Sequence, residues 1–381
     1  MNFTKIKDYL NEKFYEISNK NFIEDFNPYK IKNKKKALLY YKCTPKFLNS
    51  KIGTTEYQSL GIAKAINKAG YIVTVVDRKL IFNVQKKYSL FIGAFNTGGF
   101  SNFNHILKQL EKKTKVIGLS TGANPNFMKK EFEKRKKMFF ERNQIILKHT
   151  TRYSSINFNH IKNKLDHLIY FGYKKGFVYN SYKTFKNKID IQPCISDNIK
   201  IKNKTIGRNT LKNFVYYSGS GFLHKGLDLV IEFFIKNPQL KLFICSANNE
   251  KQFLKFYNLG KFPNIKYEGN VKEDSKKAEN MFKKCGFIIS MNCSGGGSAA
   301  LAVGRRYGLI PIVWKNEDCN PKACFFINQE NYYGMKKAIM KAIKIEKIKY
   351  LSLSKKNQKI SNENTSYSYN KKLIKIFKKF N

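Results

Sequence analysis

The chain has 381 residues, with 73 lysines and arginines against 26 aspartates and glutamates, so its formal net charge is +47. Hydrophobic residues make up 42% of the chain and aromatic residues 15%, which excludes a disordered polycation. At about 150 residues per domain, the length predicts two domains. No apolar run reaches the ~18 residues of a spanning helix, and Asp8 and Glu12 argue against a signal peptide.

The first half of the chain predicts strands that alternate with helices. Residues 1–35 are polar and mixed and predict a short helical lead-in. The apolar spacing between Ile62 and Ala69 predicts a helix with Gly70 as its C-cap. Strands are predicted at residues 37–41, 71–76, 90–95 and 116–119. This order indicates a parallel sheet covered on both faces, followed by a basic helix after residue 126 and a stretch without clear pattern to about residue 190.

The second half alternates more cleanly. Five strands are predicted at residues 214–218, 242–246, 265–269, 287–291 and 309–313, with helices at 227–234, around 253–257, at 273–284 and at 298–307. This pattern is typical of a Rossmann-like domain. The sequence therefore predicts an α/β protein with two Rossmann-like domains that face each other across a cleft. The expected domains are residues 1–205 and 206–350, with a basic amphipathic helical segment at 351–381.

The seven cysteines predict neither a disulfide framework nor a zinc site. Their number is odd, and no two form a C-x-x-C pair. Cys245 and Cys293 lie in or beside apolar runs, where a free thiol behaves as a small hydrophobic side chain. We therefore expect a reducing, cytoplasmic compartment.

Two stretches are especially rich in lysine and arginine: residues 129–142 and the C-terminus. In the C-terminal stretch Leu373, Ile376, Phe377 and Phe380 recur at helical spacing between lysines. A basic amphipathic helix suits an anionic membrane surface or a partner protein. It also suits a terminal helix that packs its apolar side on the N-terminal domain, and both interpretations stay open. The net charge itself suits either anionic surroundings or a biased amino-acid composition.

Two glycine-rich loops follow predicted strands of the second half. Gly219, Ser220 and Gly221 precede His224 and Lys225 at the start of a helix, where backbone N–H groups, the helix dipole and an ammonium group would meet a phosphate. Residues 294–298 (SGGGS) lead into another helix and predict an anion-binding nest of backbone amides. Because parallel strands end at the same sheet edge, the two loops and Ser246 between them predict a site for a diphosphate-bearing ligand.

Several short segments of the chain match the pattern of a known family. In the second half they are residues 214–219 (FVYYSG), 225–228 (KGLD), 263–265 (PNI), 269–271 (GNV), 285–290 (CGFIIS) and 308–313 (GLIPIV), and in the first half residues 52–56 (IGTTE) and 70–77 (GYIVTVVD). With these segments, residues 214–313 resemble the donor domain of retaining glycosyltransferases of the GT-B fold, the large family-4-like group. The N-terminal half resembles the acceptor domain more loosely, and residues 121–125 (TGANP) with the basic helix after them are similar to bacterial surface-polysaccharide members.

The resemblance implies transfer of a sugar from a nucleotide-sugar, with retention, to a glycan or lipid-linked acceptor. It implies Lys225 as the catalytic cation that neutralises the leaving diphosphate, with no metal and no separate cofactor. The implied acceptor residues are Gly53, Thr54 and Thr121. The expected donor residues are Gly219, Ser220, Gly221, His224, Ser246, Gly269, Val271, Ser294, Gly295, Gly296, Gly297 and Ser298.

The sequence departs from this family at functionally important positions. The family has two glutamates eight positions apart, and the corresponding residues here are Gly295 and Val303. The family's basic residue after the first strand is Ser220 here, and His224 beside Lys225 is the candidate to compensate. Two functions of the same fold therefore stay open: an active enzyme and a catalytically degenerate binding subunit. An epimerase is a further alternative. A nucleic-acid-binding protein is motivated by charge alone and is not favoured, because no recognition module is evident.

Overall fold

The computed structural model of the chain describes residues 21–44, 47–48, 54–96, 102–247, 250–296 and 298–381, and within these ranges it contains two sheets. We call the first sheet with its helices the N-lobe and the second, from Asn213 onward, the C-lobe. Residues 1–20 of the predicted lead-in and the predicted site residues Gly53 and Gly297 lie outside the described residues.

The described part of the N-lobe contains a seven-stranded sheet in the order β1-β3-β2-β4-β5-β6-β7, parallel except for β1. Helices cover both faces, so successive residues such as Leu38 and Leu39 are both fully buried. The elements are β1 (Phe22–Phe26), β2 (Lys36–Tyr41), α1 (Thr54–Lys68), β3 (Ile72–Asp77), β4 (Leu90–Ala94), α2 (Phe103–Leu107), β5 (Lys115–Ser120), α3 (Pro125–Asn143), α4 (Phe158–Ile161), β6 (His167–Phe171), α5 (Phe177–Ser181) and β7 (Lys188–Ile191).

The four strands predicted in this half are present, but the prediction of a helical lead-in is wrong for its described part. Residues Phe22–Phe26 form an antiparallel edge strand, with Ile23 opposite Val75 of β3. This strand buries Ile23 and Phe26 completely. The unassigned stretch before residue 190 contains β6 and β7, whose five and four residues are too short to stand out among the polar residues around them.

The described part of the C-lobe contains a six-stranded parallel sheet in the order β10-β9-β8-β11-β12-β13. The five predicted strands and four predicted helices are all present, and β13 and three further helices extend the pattern. The elements are β8 (Asn213–Tyr217), α6 (Leu227–Ile235), β9 (Lys241–Cys245), α7 (Lys251–Tyr257), β10 (Ile265–Gly269), α8 (Lys276–Lys284), β11 (Phe287–Ser290), α9 (Ala299–Arg306), β12 (Ile310–Trp314), β13 (Phe325–Ile327), α10 (Tyr332–Ile343), α11 (Lys347–Ile360) and α12 (Ser366–Phe377).

The basic helix α3 connects the two lobes. Its buried residues Phe132 and Phe139 belong to the apolar core of the C-lobe. Arg135 is fully buried, forms a salt bridge with Glu330, and donates to the carbonyl oxygen of Met291 at 3.0 Å. Part of the dense positive charge at residues 129–142 is therefore neutralised inside the protein and helps to fix the two lobes together.

The C-terminal helices run from the C-lobe back to the N-lobe. In α11, Ser354 Oγ donates to the carbonyl oxygen of Gly308 at 2.7 Å. In α12, Leu373, Ile376 and Phe377 are buried in the core cluster that contains α1, and Tyr369 adds a hydrogen bond to the carbonyl oxygen of Gln58. The apolar stripe of α12 thus lies against the protein. Within the described ranges, no helix is both long and apolar enough to cross a membrane.

Candidate active site

A cleft of about 770 Å³ lies between the lobes, beyond the carboxyl ends of the C-lobe strands. Both lobes contribute to its wall, as the two-domain prediction requires. Predicted site residues that line it are Thr54, Thr121, Gly219, Ser220, His224, Lys225, Val271, Gly295, Gly296 and Ser298. The remaining described ones, Gly221, Ser246, Gly269 and Ser294, are not part of the cleft wall.

The backbone amides of the first glycine loop are already occupied. The N–H groups of Gly221 and Phe222 both donate to Glu250 Oε1, at 2.6 and 3.0 Å. Glu250 is 5% exposed, so a buried carboxylate fills the position that an external anion would take. The Gly221 amide, which the sequence predicts to meet a phosphate, is therefore paired with Glu250 in this structure.

Lys225 reaches the cleft from the turn before α6. This turn is closed by a hydrogen bond from the Lys225 amide to the carbonyl oxygen of Gly221 at 2.9 Å. The Lys225 Nζ atom lies 4.0 Å from the position that a Cβ at Gly219 would occupy, so it stands directly over the loop. Burial, together with the nearby charge of Arg152, lowers the pKa of Lys225 to about 7.

Arg152 is a second cation at this loop, and the sequence analysis did not identify it. It comes from the segment between α3 and α4, and its Nη1 atom donates to Ser220 Oγ at 3.3 Å. Its aliphatic part packs on Gly221, where a Cβ would lie 2.5 Å from Arg152 Cγ. Burial and the charge of Arg78 lower the pKa of Arg152. Arg152 lies 68 residues before Ser220 in the chain, and no local motif links the two.

His224 does not supply the charge that Ser220 lacks. Its side chain is 2% exposed, and its Nε2 atom hydrogen-bonds Ser294 Oγ at 2.6 Å. Burial, followed by the charges of Arg152 and Lys225, holds the pKa of His224 well below its usual range, so the ring is neutral. His224 and the fully buried Ser294 join the two glycine loops behind the cleft wall. Arg152, and not His224, provides the additional positive charge.

Ser246 and Gly269 support the loop from behind. Ser246 is 1% exposed; its Oγ donates to the carbonyl oxygen of Gly219 at 2.9 Å, and its amide donates to that of Gly269 at 3.0 Å. Ser246, which the sequence predicts to bind the donor, therefore holds the backbone of the first glycine loop and does not line the cleft. Val271 lines the cleft and is held by a hydrogen bond from Tyr217 to its carbonyl oxygen.

The second glycine loop presents a helix N-terminus to the cleft. Gly295 and Gly296 have positive φ angles of 67° and 150°, a conformation that favours glycine. Ser298 is the N-cap of α9, and its Oγ accepts from the amide of Leu301 at 3.3 Å. Ala299 and Ala300 line the cleft, and amides at the first helical positions have no intrahelical acceptor. This loop retains the features of an anion site.

The predicted acceptor residues lie where the lobes approach each other. Thr54 Oγ1 hydrogen-bonds Glu273 Oε2 across the cleft at 3.0 Å. Thr121 is held by Asn96, whose Oδ1 accepts from the Thr121 amide at 2.9 Å. A Cβ at Gly296 would lie 3.7 Å from the carbonyl oxygen of Thr121, so the loops of the two lobes nearly touch here.

No protein-family model and no curated sequence matches the chain, but solved structures do. Sucrose-phosphate synthase from Thermosynechococcus elongatus matches with 9% identity and a TM-score of 0.59, covering 91% of this chain and 99% of that one. Anabaena Alr3699/HepE, in complex with UDP and glucose, matches with 10% identity and a TM-score of 0.55, covering 90% and 99%. WaaG, a glycosyltransferase involved in lipopolysaccharide biosynthesis, matches with 12% identity and a TM-score of 0.53, covering 90% and 99%.

The chain has the GT-B fold. This agrees with the prediction of two Rossmann-like domains facing each other across a cleft. At identities of 9–12% these similarities concern the fold. Some GT-B structures that match are longer, and the chain spans 54% of TarM.

Proposed function

We propose that this chain is a cytoplasmic glycosyltransferase that moves a sugar from a nucleotide-sugar, with retention, to a glycan or lipid-linked acceptor of a surface polysaccharide or glycoconjugate. One observation carries the proposal: Lys225, Arg152 and the N-terminus of α9 converge on one cleft in a GT-B fold. The acceptor class rests on the sequence resemblance. It is compatible with the structural neighbour WaaG, which is involved in lipopolysaccharide biosynthesis.

The charges in this part of the cleft favour an anion. Neither Lys225 nor Arg152 forms a salt bridge with a carboxylate among the described residues. The charge of Arg152 adds to burial in lowering the pKa of Lys225, and the charge of Arg78 adds to burial in lowering the pKa of Arg152. A diphosphate would relieve this repulsion and would meet the amides of Ala299 and Ala300. We therefore assign the diphosphate of the donor to the space between Lys225, Arg152 and α9.

The same groups account for leaving-group stabilisation. As the bond between the sugar and the diphosphate breaks, negative charge grows on the phosphate oxygen. Fixed cations and helix amides in a cleft shielded from water stabilise that charge. The chain's own residues can do this without a metal, so we expect activity in the presence of a chelator. The neighbour that holds UDP and glucose supports a uridine nucleotide as the first donor to test.

The test is a donor screen by calorimetry with UDP, UDP-glucose, UDP-galactose and UDP-N-acetylglucosamine. Lys225→Ala should weaken UDP binding about 50-fold, because a charge-assisted phosphate contact of roughly 1.5–3 kcal/mol is lost. Lys148→Ala, at an exposed residue outside the cleft, is the matched control. Failure of the wild-type chain to bind any of these would refute a uridine donor, and failure to bind the ADP-, GDP- and dTDP-linked sugars as well would refute the proposal. The anomeric configuration of a transferred sugar, read by NMR, tests retention.

A degenerate binding subunit is the second candidate, and a specific observation favours it. Val303 is fully buried in the C-lobe core and Gly295 has no side chain, so neither family glutamate has a counterpart at its usual place. This candidate also binds nucleotide-sugars. Hydrolysis or transfer of the bound sugar by the purified chain would exclude it.

A further inference from the structure

We infer that Glu317 binds the donor sugar, its carboxyl group forming a hydrogen bond with a sugar hydroxyl in the cleft. The inference rests on the proposed function. It deepens that function by assigning the residue that would distinguish a nucleotide-sugar from a bare nucleotide.

Glu317 is fixed at the carboxyl edge of the C-lobe sheet. It follows β12, and its amide donates to the carbonyl oxygen of Trp314 at 2.8 Å, which closes a turn. Its Oε2 atom accepts from Ser290 Oγ, at the end of β11, at 3.1 Å. The residue is 3% exposed and lines the cleft. Two adjacent strands therefore hold this carboxyl group in one orientation.

One oxygen of this carboxyl group is unused. Glu317 Oε1 is buried and has no hydrogen-bond partner among the described residues. A buried polar atom without a partner is costly, and in native proteins it usually has a reason. Because Glu317 lines the cleft, a ligand that enters the cleft is the partner that this oxygen lacks.

The chemistry of the group suits a sugar hydroxyl. Burial raises the pKa of Glu317 to about 8, so the carboxyl group is neutral near pH 7. A neutral carboxyl group both donates and accepts hydrogen bonds, as a hydroxyl does. It also avoids repulsion of the adjacent diphosphate, which a second buried carboxylate would cause.

The location of Glu317 relative to Lys225 indicates that Glu317 contacts the sugar of the donor and not its base. Glu317 and Lys225 interact electrostatically but form no salt bridge within the described residues. If Lys225 binds the phosphate that the sugar is attached to, the sugar must lie beside it. Among the residues that the structure describes, Glu317 is the cleft-lining carboxyl group with an unused buried oxygen. Both oxygens of Glu273 already accept hydrogen bonds, from Ser196 and Thr54.

The turn at residues 316–317 also explains why a side chain is missing at Gly295. A Cβ there would lie 2.8 Å from the carbonyl oxygen of Asn316 and 2.4 Å from the ring of Phe177. The backbone next to Glu317 thus occupies the space into which a residue at position 295 would extend. The carboxyl group enters the cleft from the β12 loop instead of from the glycine loop.

The experiment compares UDP with UDP-glucose, UDP-galactose and UDP-N-acetylglucosamine by calorimetry. The quantity of interest is the ratio of the Kd for UDP to the Kd for the tightest UDP-sugar. We expect Glu317→Ala to reduce this ratio about tenfold, as one lost hydrogen bond allows, and to change the Kd for UDP less than about twofold. Glu317→Gln, which keeps a donor and an acceptor, should stay within about threefold of the wild-type ratio.

Two further variants separate ligand binding from a structural role. Ser290→Ala removes the partner that orients Glu317 and should reduce the ratio about threefold. Glu346→Ala, at an exposed residue outside the cleft, should leave it unchanged. An unchanged ratio in Glu317→Ala, or a parallel loss of UDP binding, would overturn the assignment while the proposed function stands. If the wild-type chain binds no UDP-sugar, the same ratio is measured with the ADP-, GDP- and dTDP-linked sugars, and a chain that binds none of these nucleotides or their sugars would overturn both.

Discussion

The two glycine loops of the C-lobe have similar composition but different roles. At the first loop Glu250 occupies two backbone amides, and the groups that face the cleft are the side chains of Lys225 and Arg152. At the second loop the N-terminal residues of α9 line the cleft, and their amides have no acceptor within the helix. A glycine-rich loop after a strand therefore does not reveal whether its amides serve a ligand or an internal carboxylate.

The largest effect is expected on stability, when the carboxylate of Glu250 in the first loop is removed. Glu250→Ala leaves the buried amides of Gly221 and Phe222 without an acceptor, and we expect the free energy of unfolding to fall by about 3 kcal/mol. Urea denaturation measures this loss. Glu250→Gln keeps one acceptor oxygen and should lose less than half as much. Equal stability of Glu250→Ala and the wild type would show that the two amides do not depend on Glu250.

Substitutions of Arg152 test whether the N-lobe contributes to the anion site at the first loop. Arg152→Ala should weaken UDP binding about 30-fold, because a charged contact to phosphate is lost. Arg152→Lys should recover part of the affinity but not all of it, since lysine lacks the planar fork of donors. Arg208→Ala, at an exposed arginine outside the cleft, is the control. If both alanine variants bind UDP equally well in calorimetry, Arg152 is not a ligand residue.

The depressed pKa of Lys225 predicts a pH dependence of UDP binding. Without a ligand, Lys225 has a pKa of about 7. A bound diphosphate favours the protonated form of Lys225 and therefore raises this pKa. Affinity should therefore be constant just below pH 7. Above pH 7 it should fall, by at most about tenfold per pH unit, until the pH reaches the raised pKa of the complex. In that upper range binding takes up a proton.

Calorimetry at pH 8 in buffers of different ionisation enthalpy measures this uptake. Lys225→Arg should abolish it, because arginine stays charged throughout the range. Uptake of the same size in that variant would assign the proton to another group.

The smallest effect is expected at the cap of the second loop. Ser298→Ala removes the N-cap of α9 and should cost about 1 kcal/mol of stability, with a two- to threefold loss of UDP affinity as the amides shift. Ser275 caps α8 in the same way, with its Oγ accepting from the Ala278 amide at 3.1 Å, but it lies outside the cleft. Ser275→Ala should therefore destabilise the chain equally without weakening UDP binding. Equal losses of UDP affinity in Ser298→Ala and Ser275→Ala would show that the N-terminus of α9 does not bind UDP.

Much of the fold was predictable because it depends on local patterns. The apolar runs of the C-lobe strands and the helical spacing between them are visible in the sequence, and all five predicted strands are present. The edge strand Phe22–Phe26 and the short β6 and β7 were missed, because their pairing is set by neighbours distant in the chain. Propensity over four or five residues is too weak to decide such cases.

The candidate site, like the fold, was predictable from the sequence only in part. The amino-acid sequence by itself determined the alternation of strands and helices, the glycine turns at their carboxyl ends, and the placement of Lys225 after one of them. It could do so because hydrophobic period and turn chemistry act over a few residues. Tertiary structure alone decided that Glu250 fills one loop, that Arg152 arrives from the other lobe, and that Glu317 stands where a residue at position 295 cannot. Those contacts join residues far apart in the chain, and they form only when packing fixes the lobes and thereby sets both the distances and the burial on which their charges depend.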